Sequence, residues 1–132
     1  MDAAQVSWLA VVVAAAATFL LGGVWYSPLL FGRAWQTLVG LSDQDLKKGV
    51  GRAFGGAAVC ALIGSTNLAF FLGPDASISF GVGAGAAAGV GWVATALTTT
   101  FLFERRPGTL IAIEAGYHAV SYTMMGAILS AL

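Results

Sequence analysis

The chain has 132 residues, 58% hydrophobic and 9% charged, with six basic and six acidic side chains and a single histidine. Its mean hydropathy is +0.86. That composition excludes an ordinary water-soluble domain, which needs more polar surface, and the zero formal charge removes any general attraction for nucleic acid. The reading is an integral membrane protein built as one domain over residues 1–132.

Residues 1–5, MDAAQ, carry an acid and no Lys or Arg, so the basic n-region of a signal peptide is missing. The apolar run that follows, about 6–26, is too long for a simple h-region and is expected to be a retained transmembrane helix. Ala14 to Ala17 on it are expected to be a packing surface. Trp25 and Tyr26 stand where this span meets an interface, the depth that amphipathic aromatic rings prefer. Pro28 disfavours helix at Ser27 and opens a new helix itself. Leu29, Leu30, Phe31, Ala34, Trp35, Leu38 and Val39 then form one apolar face, with Arg33 and Gln36 on the polar side. This predicts a short helix lying in the membrane surface and anchored by Trp35. Gly40 ends it, and Ser42-Asp43-Gln44-Asp45 reads as a helix cap leading into the second span.

Further spans are expected at about 53–72, 76–103 and 107–132, each near the ~20 residues needed to cross a bilayer. On the second, Gly55-Gly56 reads as a packing surface and Asn67 as a polar candidate. Cys60, the only cysteine, excludes an internal disulfide and a cysteine-based metal cluster. Gly81, Gly85 and Gly89 recur every four residues on the third span, along one face that permits close backbone approach as helix packing or docking. The letters GVGAG do not make a phosphate loop, because no strand precedes them and no Lys-Ser/Thr follows. Thr99 is the polar candidate of this span. Glu104-Arg105-Arg106 closes it and reads as a solvated loop that sets topology.

The fourth span holds the chemistry. Glu114 and His118 are four residues apart and share a helix face, which Ser121 continues with Tyr122 beside it. At 1.5 Å per residue His118 lies roughly 15–18 Å from the helix start, near mid-membrane, where ionisable groups face the protein interior or a wet cavity. Three accounts stay open: a buried polar pair fixing helix register, a proton- or ion-handling site, and a metal site. The last has only two ligands on one face where three or more are usual, so no metal and no cofactor is expected. One histidine, no nucleophile motif and no paired intramembrane carboxylates argue against an enzyme.

All six Lys and Arg side chains fall between spans one and two or between spans three and four. The positive-inside rule therefore puts both of those links in the cytoplasm and both termini on the other side. The expected fold is an all-α integral membrane protein of four transmembrane helices plus a cytoplasmic interfacial helix between helices 1 and 2.

The order GGVWYSPLLFGRAW, a basic link, and the late FERRPGTLIAIEAGYHAVSYTMMGAIL resemble an uncharacterised bacterial family, domain of unknown function 1761, over nearly the whole chain. The resemblance implies four membrane helices and a bacterial inner-membrane location. It implies no activity and no site residues. The functional expectation is a non-catalytic accessory or structural subunit of a membrane complex, in contact with the lipid bilayer and either a larger assembly or further copies of itself. The alternative is a homo-oligomeric transporter or channel coupled to protons or a cation through Glu114 and His118.

Overall fold

The computed structural model describes residues 2–132, and every regular element among them is helical. A short 3-10 turn at Ala3–Gln5 is closed by Asp2 and leads to α1, Trp8–Trp25. Two short helices follow, α2 at Gly32–Val39 and α3 at Asp43–Lys47, and then α4 at Val50–Leu72. The next rod is α5 at Ile78–Ala88, a π-helical segment at Gly89–Ala94, and α6 at Thr95–Phe103. The chain finishes with α7, Gly108–Ala131.

Among the described residues, three helices are long and apolar enough to cross a membrane: Trp8–Trp25, Val50–Leu72 and Ile78–Phe103. The fourth, α7, has 24 residues, about 36 Å at 1.5 Å per residue. Its polar side chains, Glu114 and His118 foremost, keep it below the apolar character of the other three. Its place in the bundle explains that difference: α7 packs on α5, the π segment, α1 and α4, and so has the least outward surface to keep apolar. Leu110, Ile113, Ser121, Met125 and Gly126 are its buried residues. Met125 meets Ala14, Leu68 and Leu72 in the main apolar cluster, and Val6, Val11 and Ala69 form a second.

The closest packing is between α5 and α7. A methyl group added at Gly85 would overlap the Tyr122 carbonyl oxygen, and one at Gly89 would stand 2.9 Å from Tyr122 Cβ. Gly81 and Gly126 face each other with equally little room. The four-residue glycine spacing is thus occupied by α7 of the same chain, and this face offers nothing for docking. Gly55 and Gly56 differ from expectation in the opposite sense. They are exposed, and a Cβ at either meets no atom within 4 Å among the described residues. At this level α4 meets α1 through Phe54, which packs on Phe19 at 5.8 Å, and the two glycines carry no internal contact.

Two local expectations are also revised. The Ser42 cap serves α3, in a reciprocal box with Asp45, while Gly49 in left-handed backbone (φ 66°) separates α3 from α4. A run of polar residues was enough to nucleate its own turn before the apolar helix began. Trp35 is half-buried with its ring edge-on to Tyr26 at 5.4 Å, so it packs on the protein as well as presenting a face outward.

Candidate functional site

A polar cluster that joins distant parts of the chain lies where the end of α1 meets the start of α7. The Tyr26 hydroxyl donates to Glu114 Oε1 at 2.7 Å. Next to it, Trp25 Nε1 donates to the Ile113 carbonyl at 3.0 Å, and the Tyr117 hydroxyl donates to the Thr18 carbonyl at 3.0 Å. The rings seat against glycines on the opposing helix. A Cβ at Gly116 would be 3.2 Å from Trp25 Cζ2, and one at Gly22 would be 3.2 Å from the Tyr117 hydroxyl. Each helix therefore supplies an aromatic knob and a glycine notch to the other.

The turn after α1 is tied down as well. Gly32 N–H donates to the Ser27 carbonyl and Phe31 N–H to the Trp25 carbonyl, and a side chain at Gly32 would collide with that turn. Phe31 stacks on Trp25 at 4.9 Å, and Tyr26 packs on Tyr117 at 5.5 Å. The segment from Trp25 to Trp35 is a clasp over the start of α7.

Glu114 and His118 share a face of α7 but do not pair. Glu114 turns to Tyr26, whereas His118 packs edge-on against Tyr117 at 5.1 Å with no hydrogen bond to Glu114 among the described residues. The reason is local. Glu114 lies six residues into α7, about 9 Å from its start, level with the end of α1, and a tyrosine hydroxyl stands within reach there. The Ser121 hydroxyl is buried without a hydrogen-bond partner among the described residues.

The other candidates lie elsewhere. Thr99 is exposed on α6 and donates to the Thr95 carbonyl one turn back. Asn67 is exposed on α4 and donates to the Ile63 carbonyl at 2.9 Å. It lines a groove of about 1010 Å³ between α4 and α5, together with Tyr122 and Cys60. The six polar candidates thus divide between the clasp end of α7, its buried centre, this groove and the outside of α6. No group of three His, Cys, Asp or Glu side chains among the described residues is arranged to hold a metal ion.

Tyr117, and the polar ends of Trp25 and Tyr26, are the residues whose part the sequence did not disclose. A signal did exist: an aromatic following a glycine at both ends, Gly22 to Trp25 and Gly116-Tyr117, matches two helices that notch into one another.

The architecture defines an all-helical protein with three helices fit to cross a membrane and an aromatic clasp holding a fourth at the bundle centre. The family model for a protein of unknown function, DUF1761, matches residues 9–130, and the chain belongs to that family. No curated protein and no solved structure matches the chain.

Proposed function

We propose that this chain is a four-span integral membrane protein of the cytoplasmic membrane, with both termini on the non-cytoplasmic side, acting as a non-catalytic accessory or structural subunit. The observation that carries this reading is the engagement of Glu114 by Tyr26. The carboxyl group best suited to move a proton is used instead to fix α7 against α1. In the proposed topology it sits near the cytoplasmic interface rather than at mid-membrane. The basic residues support that topology, since Arg33, Lys47, Lys48, Arg52, Arg105 and Arg106 all fall at this end. The central place of α7 supports its being the fourth span, because a helix wrapped by others tolerates polar residues that a lipid-facing one does not. The uncovered small face of α4 at Gly55 and Gly56 is the surface offered to a partner helix.

A second reading, a proton- or cation-coupled homo-oligomer, draws on one observation. His118 and the unpartnered Ser121 hydroxyl follow one another on one face of α7. Two measurements separate the readings. Native mass after extraction in mild detergent is expected to show a different protein in fixed ratio, whereas a simple multiple of 13.4 kDa would favour the self-contained homo-oligomer. Proteoliposomes are expected to show no proton or cation flux that Glu114→Gln or His118→Gln abolishes. Flux lost in either variant with assembly intact would overturn the subunit reading.

A further inference from the structure

Most of the basic side chains have no partner in the protein. Arg106 Nε donates to Glu104 Oε1 at 3.1 Å, and its guanidinium lies over Phe101. Arg33, Lys47, Lys48, Arg52 and Arg105 are exposed and make no ion pair among the described residues. The acids at this end of the bundle do not answer them. Asp43 accepts from Gln36 Nε2, Asp45 from the Ser42 N–H, Glu104 from Arg106 and Glu114 from Tyr26. These carboxylates are occupied within the chain, three of the four by neutral donors, and the five cations keep an unmatched charge.

One of the cations stands where the backbone favours another residue. α6 closes with the Arg106 N–H donating to the Phe101 carbonyl and the Arg105 N–H to the Leu102 carbonyl, which puts Arg105 in left-handed backbone at φ 61°. α2 closes through the same pair of bonds, Leu41 to Gln36 and Gly40 to Thr37, and there the left-handed residue is Gly40. Glycine adopts that conformation freely, whereas a residue with a Cβ pays for it. Gly49 and Gly73 take the other positive-φ positions among the described residues. An arginine held where the turn favours glycine points to a task for its side chain.

Depth identifies what that side chain meets. Arg105 follows Phe103, which is 85% exposed, by two residues at the end of the Ile78–Phe103 span. Arg33 follows Leu29, 88% exposed, by four residues, and Arg52 precedes the exposed Phe54 by two. All three arginines lie at one end of the bundle. Phe54 packs on Phe19, and the end of α1 is bonded to the start of α7, which follows Arg105 directly. A cation beside an uncovered apolar side chain, at the end of a membrane-crossing helix, stands level with lipid headgroups. An acidic protein or a soluble anion would make no use of those apolar neighbours.

We propose that this rim binds the headgroup of anionic phospholipids, with Arg105 as the principal contact and Arg33 and Arg52 beside it. The proposal goes beyond the subunit reading and is independent of it, since it needs only that the apolar helices lie in a membrane.

The test uses the full chain, delipidated in an uncharged detergent. It is titrated with dioleoyl phosphatidylglycerol or dioleoyl phosphatidylcholine, and bound lipid is counted by native mass spectrometry. The acyl chains are identical, so the ratio of the two affinities reads the headgroup alone. Phosphatidylglycerol is expected to bind tighter, by roughly fivefold for each cation engaged, and the ratio should fall as salt is added. Arg105→Gly is expected to cut the ratio about fivefold without lowering the thermal midpoint, because glycine relaxes the left-handed turn. Gln5→Glu makes the same change in net charge beyond the far end of α1, at least about 27 Å away, and should leave the ratio unchanged. Equal affinity for the two lipids, a ratio unchanged in Arg105→Gly, or an equal loss in Gln5→Glu would each overturn the proposal. An oligoglutamate peptide that displaces phosphatidylglycerol from the protein, and fails to bind Arg105→Gly, would also overturn it and assign the surface to an acidic protein.

Discussion

Replacing Gly85 by alanine adds one methyl group at the tightest crossing in the protein. The new Cβ would overlap the Tyr122 carbonyl oxygen, lie 2.9 Å from its carbonyl carbon and 3.1 Å from Thr123 Cα. Ordinary carbon contacts need about 3.5–4.0 Å, so α5 and α7 must separate locally by roughly 0.5–1 Å. The obstructing atoms are main chain and cannot swing aside as a side chain would. Overpacking of this kind costs about 1–3 kcal/mol, and the rigid neighbour favours the upper end. Alanine returns up to ~1 kcal/mol through its better helix propensity. The net loss expected is about 2 kcal/mol. Gly55→Ala provides the control, because no atom lies within 4 Å of its Cβ position and only the propensity gain of about 0.5–1 kcal/mol remains. Reversible unfolding of both variants by SDS titration in mixed micelles should place them nearly 3 kcal/mol apart. Values within about 0.5 kcal/mol of each other, the usual spread of neutral surface changes, would refute the claim that α7 occupies the glycine face.

The buried hydroxyls allow a second contrast. Ser65 donates to the Val11 carbonyl at 2.9 Å, so Ser65→Ala is expected to cost about 1 kcal/mol. Ser121 has no partner, and Ser121→Ala should be neutral or slightly stabilising in the same assay. A loss near 1 kcal/mol at Ser121 would mean that its hydroxyl is engaged, and would favour the ion-handling reading. At the surface, the Asp45 carboxylate accepts a hydrogen bond from the Ser42 backbone N–H, which with the adjoining Ser42 side chain holds its carboxyl below the usual range. Its folded pKa lies below its unfolded value, so its contribution to the α3 cap is complete above the unfolded pKa near ~3.9 and is lost as pH falls through the folded value. Amide exchange at Ser42 should quicken, relative to the intrinsic rate, only in that acid window, and Asp45→Asn should remove the dependence.

What could be read along the chain was whatever neighbouring residues encode. Uncharged runs of about 20 residues identify helices fit for a membrane, and the spacing of Gly81, Gly85 and Gly89 identifies a close-packing face. Trp25 and Tyr26 mark the end of the first span by their chemistry alone. A helical period places residues on a face without saying what stands opposite. Thus Glu114 and His118 looked like partners because they are four apart, yet the nearer donor was Tyr26, distant by 88 positions in sequence. For the same reason Gly85 and Gly55 were indistinguishable as letters, and only the presence of α7 against the one and of no neighbour against the other left one buried and the other bare. The groove had no local signature, since its lining comes from α4, from α5 with the π segment, and from Tyr122 of α7. Sequence determined the helices and their apolar faces through interactions a few residues apart. The tertiary structure alone decided which faces meet, because that depends on the fit of all the helices together.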